Sequence, residues 1–175
     1  MAQRERLLVV DGYNVLGAWP QLTAGKSLDE ARDALIHRLH DYAGYSGQKI
    51  VVVFDAWQSD RKMRTVEKQG ALTVVFTQRA ETADHYIERL CDEAAPKVSA
   101  GRMELRVATS DGVEQTVVMG RGAVRLSSRE LMYEMNQVRS EAGGAAPRVM
   151  SARSTIMDSV SEEVRARLEK MRRGG

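Results

Sequence analysis

One cysteine, Cys91, in 175 residues excludes an intramolecular disulfide and any thiolate metal cluster. It falls in an apolar helical pattern and reads as a buried structural thiol. His37, His40 and His85 form no zinc-ligand spacing with it. Only 5% of residues are aromatic, so extensive base stacking is not expected. No apolar run approaches the roughly 18 residues of a transmembrane helix. Met1–Arg6 passes straight into a strand without a secretory signal core, so a cytoplasmic protein with no membrane association is expected. Charge of either sign is nearly balanced, Lys and Arg numbering 26 against 24 Asp and Glu. That excess is too small to indicate nucleic-acid binding. Repeats and low-complexity tracts are absent, and the length suits one domain with a proper core.

What is present is an alternation of strand and helix signals. Leu7–Val10, Ile50–Phe54, Leu72–Phe76 and the weaker Leu105–Ala108 are short runs, largely β-branched, of the kind buried on both faces of a parallel sheet. Between them, Ser27–Glu30 is a capping box leading into Ala31, Leu35, Leu39 and Tyr42 at helical spacing. Thr82 can cap a helix carrying Ala83, Ile87, Leu90 and Ala94. Asp111–Glu114 opens another, to be closed by Gly120, and Ser127–Glu130 opens one with Leu131, Met135 and Val138 on its apolar side. The pattern predicts an α/β domain with an open, mainly parallel sheet between helical layers. Residues 1–142 are expected to form it. Glu141–Pro147 reads as a linker, and 143–175 as that linker and a basic C-terminal helix, with Val164, Leu168 and Met171 in a stripe, packed on the domain.

Functional crevices of open parallel sheets lie beyond the carboxyl ends of the strands. Asp11 and Asp55 end two of the runs, Asp111 lies just past a third, and Asp84 opens the helix after another. Each alone could be a turn residue, an N-cap or a complement to a helix dipole. Together they repel. Two unit charges about 4 Å apart at an effective dielectric near 20 cost on the order of 4 kcal/mol. Their pKa values must rise, or a cation must join them. Mg²⁺ or Mn²⁺ suits carboxylate and water oxygens, and an ion so held activates water and offsets charge on a phosphate.

Five stretches carry a family resemblance: Asp11-Gly12-Tyr13-Asn14, Val53–Ala56, Glu81–Glu88, Thr109–Gln115, and Gly120–Ala123 with Ser127–Leu131. In this order, over nearly the whole chain, they resemble the NYN domain family, relatives of PIN-domain nucleases, in its YacP-like bacterial branch. The resemblance implies a PIN-like three-layer α/β/α fold and an Mg²⁺- or Mn²⁺-dependent endoribonuclease; a characterised member of the branch is ribosome-associated and acts on translated messenger RNA. It implies Asp11 and Asp84 as the main metal carboxylates, with Asp55 and Asp111 completing the cluster and Asn14 orienting a water or a phosphate oxygen. Glu81, Glu88 and Ser110 belong to matched motifs and are supporting candidates. Of the glutamates Glu88 is the better placed, one turn after Asp84.

For the RNA itself, Arg61, Lys62, Arg64 and Lys68 crowd what reads as a loop after Asp55 and would track phosphates, or else form a solvated basic loop. Tyr13, Trp19 and Trp57 follow strand ends, where packing is the more common role and stacking on a base the alternative. A magnesium phosphatase would call for an Asp-x-Asp pair, whereas Asp11 is followed by Gly12 and Tyr13. Gly120-Arg121-Gly122 follows a helix and lacks a third glycine, so it is a poor phosphate cradle. A non-catalytic RNA- or ribosome-binding protein on the same fold stays open, because fold alone does not assign activity.

Overall fold

The four apolar runs lie at the centre of the molecule because helices cover both of their faces. The structure, a computed structural model, describes residues 4–56, 63–110 and 122–144. Among these residues six strands form one sheet: β1 (Glu5–Asp11), β2 (Lys49–Phe54), β3 (Thr65–Gln69), β4 (Leu72–Phe76), β5 (Met103–Ala108) and β6 (Val124–Leu126). Their spatial order is β3-β4-β2-β1-β5-β6. Every neighbouring pair is parallel except β3 with β4. The helices are α1 (Gly12–Gly17), α2 (Pro20–Thr23), α3 (Leu28–Ser46), α4 (Ala83–Ser99) and α5 (Ser128–Gly144).

Alternate residues of β1 point to opposite layers, as the strand period of two requires. Leu8 and Val10 pack with Leu35 and Leu39 of α3 and Leu131 and Met135 of α5. Val9 packs on the other face with Ile87 and Cys91 of α4. Cys91 is fully buried, as its setting predicted. The expected caps form: Glu30 N–H donates to Ser27 Oγ at 3.1 Å, His85 N–H to Thr82 Oγ1 at 3.2 Å, and Glu130 N–H to Ser127 Oγ at 3.1 Å.

Two readings are corrected here. Lys68, placed in a basic loop, lies on the edge strand β3, and the chain returns into β4 through Gly70 at φ 64°. Helix α5 runs through Glu141–Gly144, which the sequence placed in a linker. The expected helix at Asp111–Gly120 and the tail beyond Gly144 lie outside the described residues.

Because five of the strands are parallel, their carboxyl ends share one edge. Register sets the neighbours there. Asp11 pairs with Val53, so Asp55 stands two residues further along the adjacent strand and on the same face. Val9 and Val53 both pack beneath α4, and Asp11 and Asp55 follow them on that side.

Candidate active site at the carboxyl edge of the sheet

Asp11 is the last residue of β1 and precedes α1, yet its side chain does not cap that helix. It is a buried carboxylate, 8% exposed. The turn into α1 needs a glycine next, because a Cβ at Gly12 would fall inside the ring of Phe54. That close approach lets α1 start directly under the strand ends. Asp55 Oδ2 accepts the Ala83 N–H at 3.3 Å, which ties the end of β2 to the N-terminus of α4. Asp84 lies in the first turn of the same helix and is exposed. The dipole of that end favours negative charge, so α4 offsets part of the repulsion among the acids. Asp11, Asp55 and Asp84 therefore stand along the same edge of the sheet; Asp111 lies outside the described residues.

Asn14, expected to orient a water or a phosphate oxygen, has its carbonyl oxygen engaged within the fold. Its Oδ1 accepts the Ser110 N–H at 2.6 Å and the Ser128 hydroxyl at 3.2 Å. Ser110 Oγ in turn donates to Ser128 Oγ at 3.0 Å. The carbonyl oxygen of Asn14 thus joins α1, the end of β5 and the start of α5; what it can offer a ligand is the donor NH₂. Ser128, fully buried, is a residue that sequence reasoning missed. Beside the helix-capping Ser127 it looked like part of a cap, and no local signal pairs it with Asn14.

Two of the expected residues are engaged with each other. Glu81, 7% exposed at its side chain, forms a bidentate ion pair with Arg64 and lies 3.7 Å from Arg89. Arg64 also stacks over the Tyr86 ring, 4.8 Å from its centre. The Arg64 charge is matched within the fold, an engagement that no local feature of the sequence signals. The Glu81 hydrogen bonds hold the Arg64 guanidinium above its ordinary pKa, and the same bonds hold Glu81 below the usual carboxylate range. A depressed carboxylate pKa gives stability that is present above the unfolded value, about 4.3, and lost as pH falls through the folded one. Urea unfolding between neutral pH and pH 3 should therefore show a steeper loss of stability below about pH 4.3 for the wild type than for Glu81→Gln. Equal slopes would remove Glu81 from the acid response.

Glu88 is partly exposed, one turn beyond Asp84 on α4. Tyr13 is half-buried, edge-on to Phe54 at 5.1 Å, and its hydroxyl accepts from Arg32 at 3.4 Å. Trp19 is buried beneath Arg38 and serves packing. Trp57, Arg61 and Lys62 lie outside the described residues.

As for a metal, the available donors are hard carboxylate oxygens. Among the described residues no three of His, Cys, Asp and Glu come close enough together to cage an ion. Mg²⁺ is ordinarily held by one or two carboxylates and completed by waters and substrate phosphates. Asp11 and Asp55 are the side chains that would hold it, with Asp84 at the rim.

A model of the YacP-like NYN domain matches residues 8–173. The chain belongs to that family. Protein YacP of Bacillus subtilis (strain 168) is 39% identical over 173 residues, covering 96% of this chain and 97% of its own. Crystal structures of Rae1 (YacP) from Bacillus subtilis superpose at TM-scores of 0.66, for a mutant form, and 0.65, each at 36% identity. The first spans 97% of this chain and 99% of the other, and the second 96% and 95%. The mainly parallel α/β fold is thus shared with these relatives over the whole domain. Family membership points to a nuclease-type function with RNA as the substrate class. Among the described residues no helix is long and apolar enough to cross a membrane.

Proposed function

We propose that this chain is an endoribonuclease dependent on Mg²⁺ or Mn²⁺, with Asp11, Asp55 and Asp84 as its acidic centre and Asp111 as a further carboxylate. The observation that carries the reading is Asp11: a buried carboxylate at a strand end, not used to cap the helix it precedes, with Asp55 just past the end of the adjacent strand. A protein that only bound RNA would gain nothing from acids gathered where phosphates must pass. When bound, the ion lowers the pKa of a water and offsets charge on the phosphate under attack. The chain's own part is to fix the acids. Asp55 is held by the Ala83 N–H, and the Asn14–Ser110–Ser128 hydrogen bonds lock the strand end from which Asp111 follows.

The resemblance to the YacP-like branch adds messenger RNA on the ribosome as the substrate to be tried. End-labelled RNA, free and on stalled ribosomes, should be cut with Mg²⁺ or Mn²⁺ and left intact with EDTA. Cutting confined to the ribosome samples would identify the partner. RNA or ribosome binding without cutting under any condition would replace the nuclease by a binding protein.

A further inference from the structure

The turn between β4 and α4 is backbone of an unusual kind. Glu81 N–H donates to Gln78 C=O at 3.0 Å, closing a four-residue turn over Gln78–Glu81. Its third residue, Ala80, has φ 66°, and among the described residues it is the one non-glycine with positive φ. Glycine or asparagine normally holds that position, and a Cβ there costs roughly 1–2 kcal/mol. Strain of this kind persists only where the surroundings over-determine it.

They do so on both sides. Before the turn, Thr77, fully buried, donates its N–H to Phe54 C=O at 3.1 Å and accepts the Ala56 N–H on Oγ1 at 2.8 Å. After it, Glu81 is clasped by Arg64 and Arg89. The apex residue is Arg79, which is exposed and, among the described residues, forms no ion pair. The location is specific. Phe54 pairs with Phe76, so the turn springs from beside Asp55, and it ends at the first turn of α4, which carries Asp84. Two other arginines near this edge are engaged within the fold: Arg64 by Glu81, and Arg32 by Asp29 at 3.0 Å and the Phe76 ring.

We infer that Arg79 is a binding residue for an RNA phosphate flanking the acidic centre, held in place by the strained turn. The inference rests on the nuclease reading above and adds to it a cation beside the acids. A negatively charged strand approaching a cluster of carboxylates needs a fixed positive group at its margin, and a guanidinium suits a phosphate because it donates two parallel hydrogen bonds. A rigid apex also means that little ordering is required when the strand binds.

The test is anisotropy of a fluorescein-labelled, mixed-sequence single-stranded RNA against the Asp11→Asn protein, with and without Arg79→Gln, over a series of salt concentrations. Losing one charged phosphate contact should raise Kd about tenfold and reduce the slope of log K on log salt by about 0.7. Arg79→Lys should keep the slope and lose part of the affinity. Thermal melting of Arg79→Gln should match its parent, since an exposed apex contributes little to stability. Unchanged Kd and slope in Arg79→Gln, with wild-type cleavage intact, would overturn the inference alone. RNA neither bound nor cut by the wild type would remove the nuclease reading and this one with it.

Discussion

Asp11→Asn should reduce RNA cleavage by roughly a thousandfold or more, as expected when a principal electrostatic group is removed from a reacting centre, while leaving the fold intact. The two side chains are nearly isosteric, so Gly12 and Phe54 are not disturbed and α1 keeps its start. What changes is charge. The two proteins should therefore answer differently to metal in thermal melting. With Mn²⁺ the wild type should gain, by about 2.7 kcal/mol at a hundred times its Kd, and the variant should gain little. A variant that cuts RNA at the wild-type rate, or a wild type whose melting ignores Mn²⁺, would move the ion away from Asp11.

The parts of this arrangement that were legible in sequence are those whose cause is local. β1, β2, β4 and β5 are buried on both faces, so each is a short apolar run, and parallel packing brings their ends together whatever the loops do. Three helix starts were equally plain, since a Ser or Thr cap acts only three residues away. β3 escaped because no helix covers it: Thr65, Val66, Glu67 and Lys68 are all exposed, and an uncovered edge strand has no reason to be apolar. Its one signal was the two-residue turn at Gly70-Ala71. β6 is three residues long and mostly exposed, too short to show a period. α1 and α2 are held by burial of Val15, Leu16 and Leu22 rather than by helical length.

The site divided along the same line. That Asp11 and Asp55 share an edge follows from strand order and was readable. That Asn14 joins Ser110 and Ser128, that Glu81 takes up Arg64, and that Ala80 is strained are all facts of tertiary contact. The consequence is functional. Arg64, close to Asp55 in sequence, is engaged as a strut for the turn that carries Arg79.

Glu134→Ala should destabilise the protein by about 3 kcal/mol, at the lower end of the range for stranding a buried charge, and so lower its melting temperature by roughly 10 °C. Arg106 reaches from β5 beneath α5, where NH1 lies 2.8 and 2.9 Å from the Glu134 carboxylate oxygens and NH2 donates to Gln48 at 3.1 Å. Burial pulls the guanidinium toward a lower pKa, but the bonds to Glu134 and Tyr42 more than offset it, and the net shift is upward. The two partners are unequal: the Arg106 side chain is 12% exposed and Glu134 37%. Remove Arg106 and Glu134 can turn to water; remove Glu134 and Arg106 cannot. Arg106→Met, which keeps the packing of the stem, should therefore cost clearly less than Glu134→Ala, a comparison urea unfolding would make directly. The reverse order would mean that the guanidinium finds solvent despite its position. The clamp also bears on the active edge, since α5 begins at Ser128, whose hydroxyl holds Asn14 and Ser110. Loosening α5 one and a half turns along its length should weaken those bonds too. Glu134→Ala is accordingly expected to lose cleavage at temperatures well below its own melting, whereas Arg106→Met, with α5 still packed through Leu131 and Met135, should retain most of it.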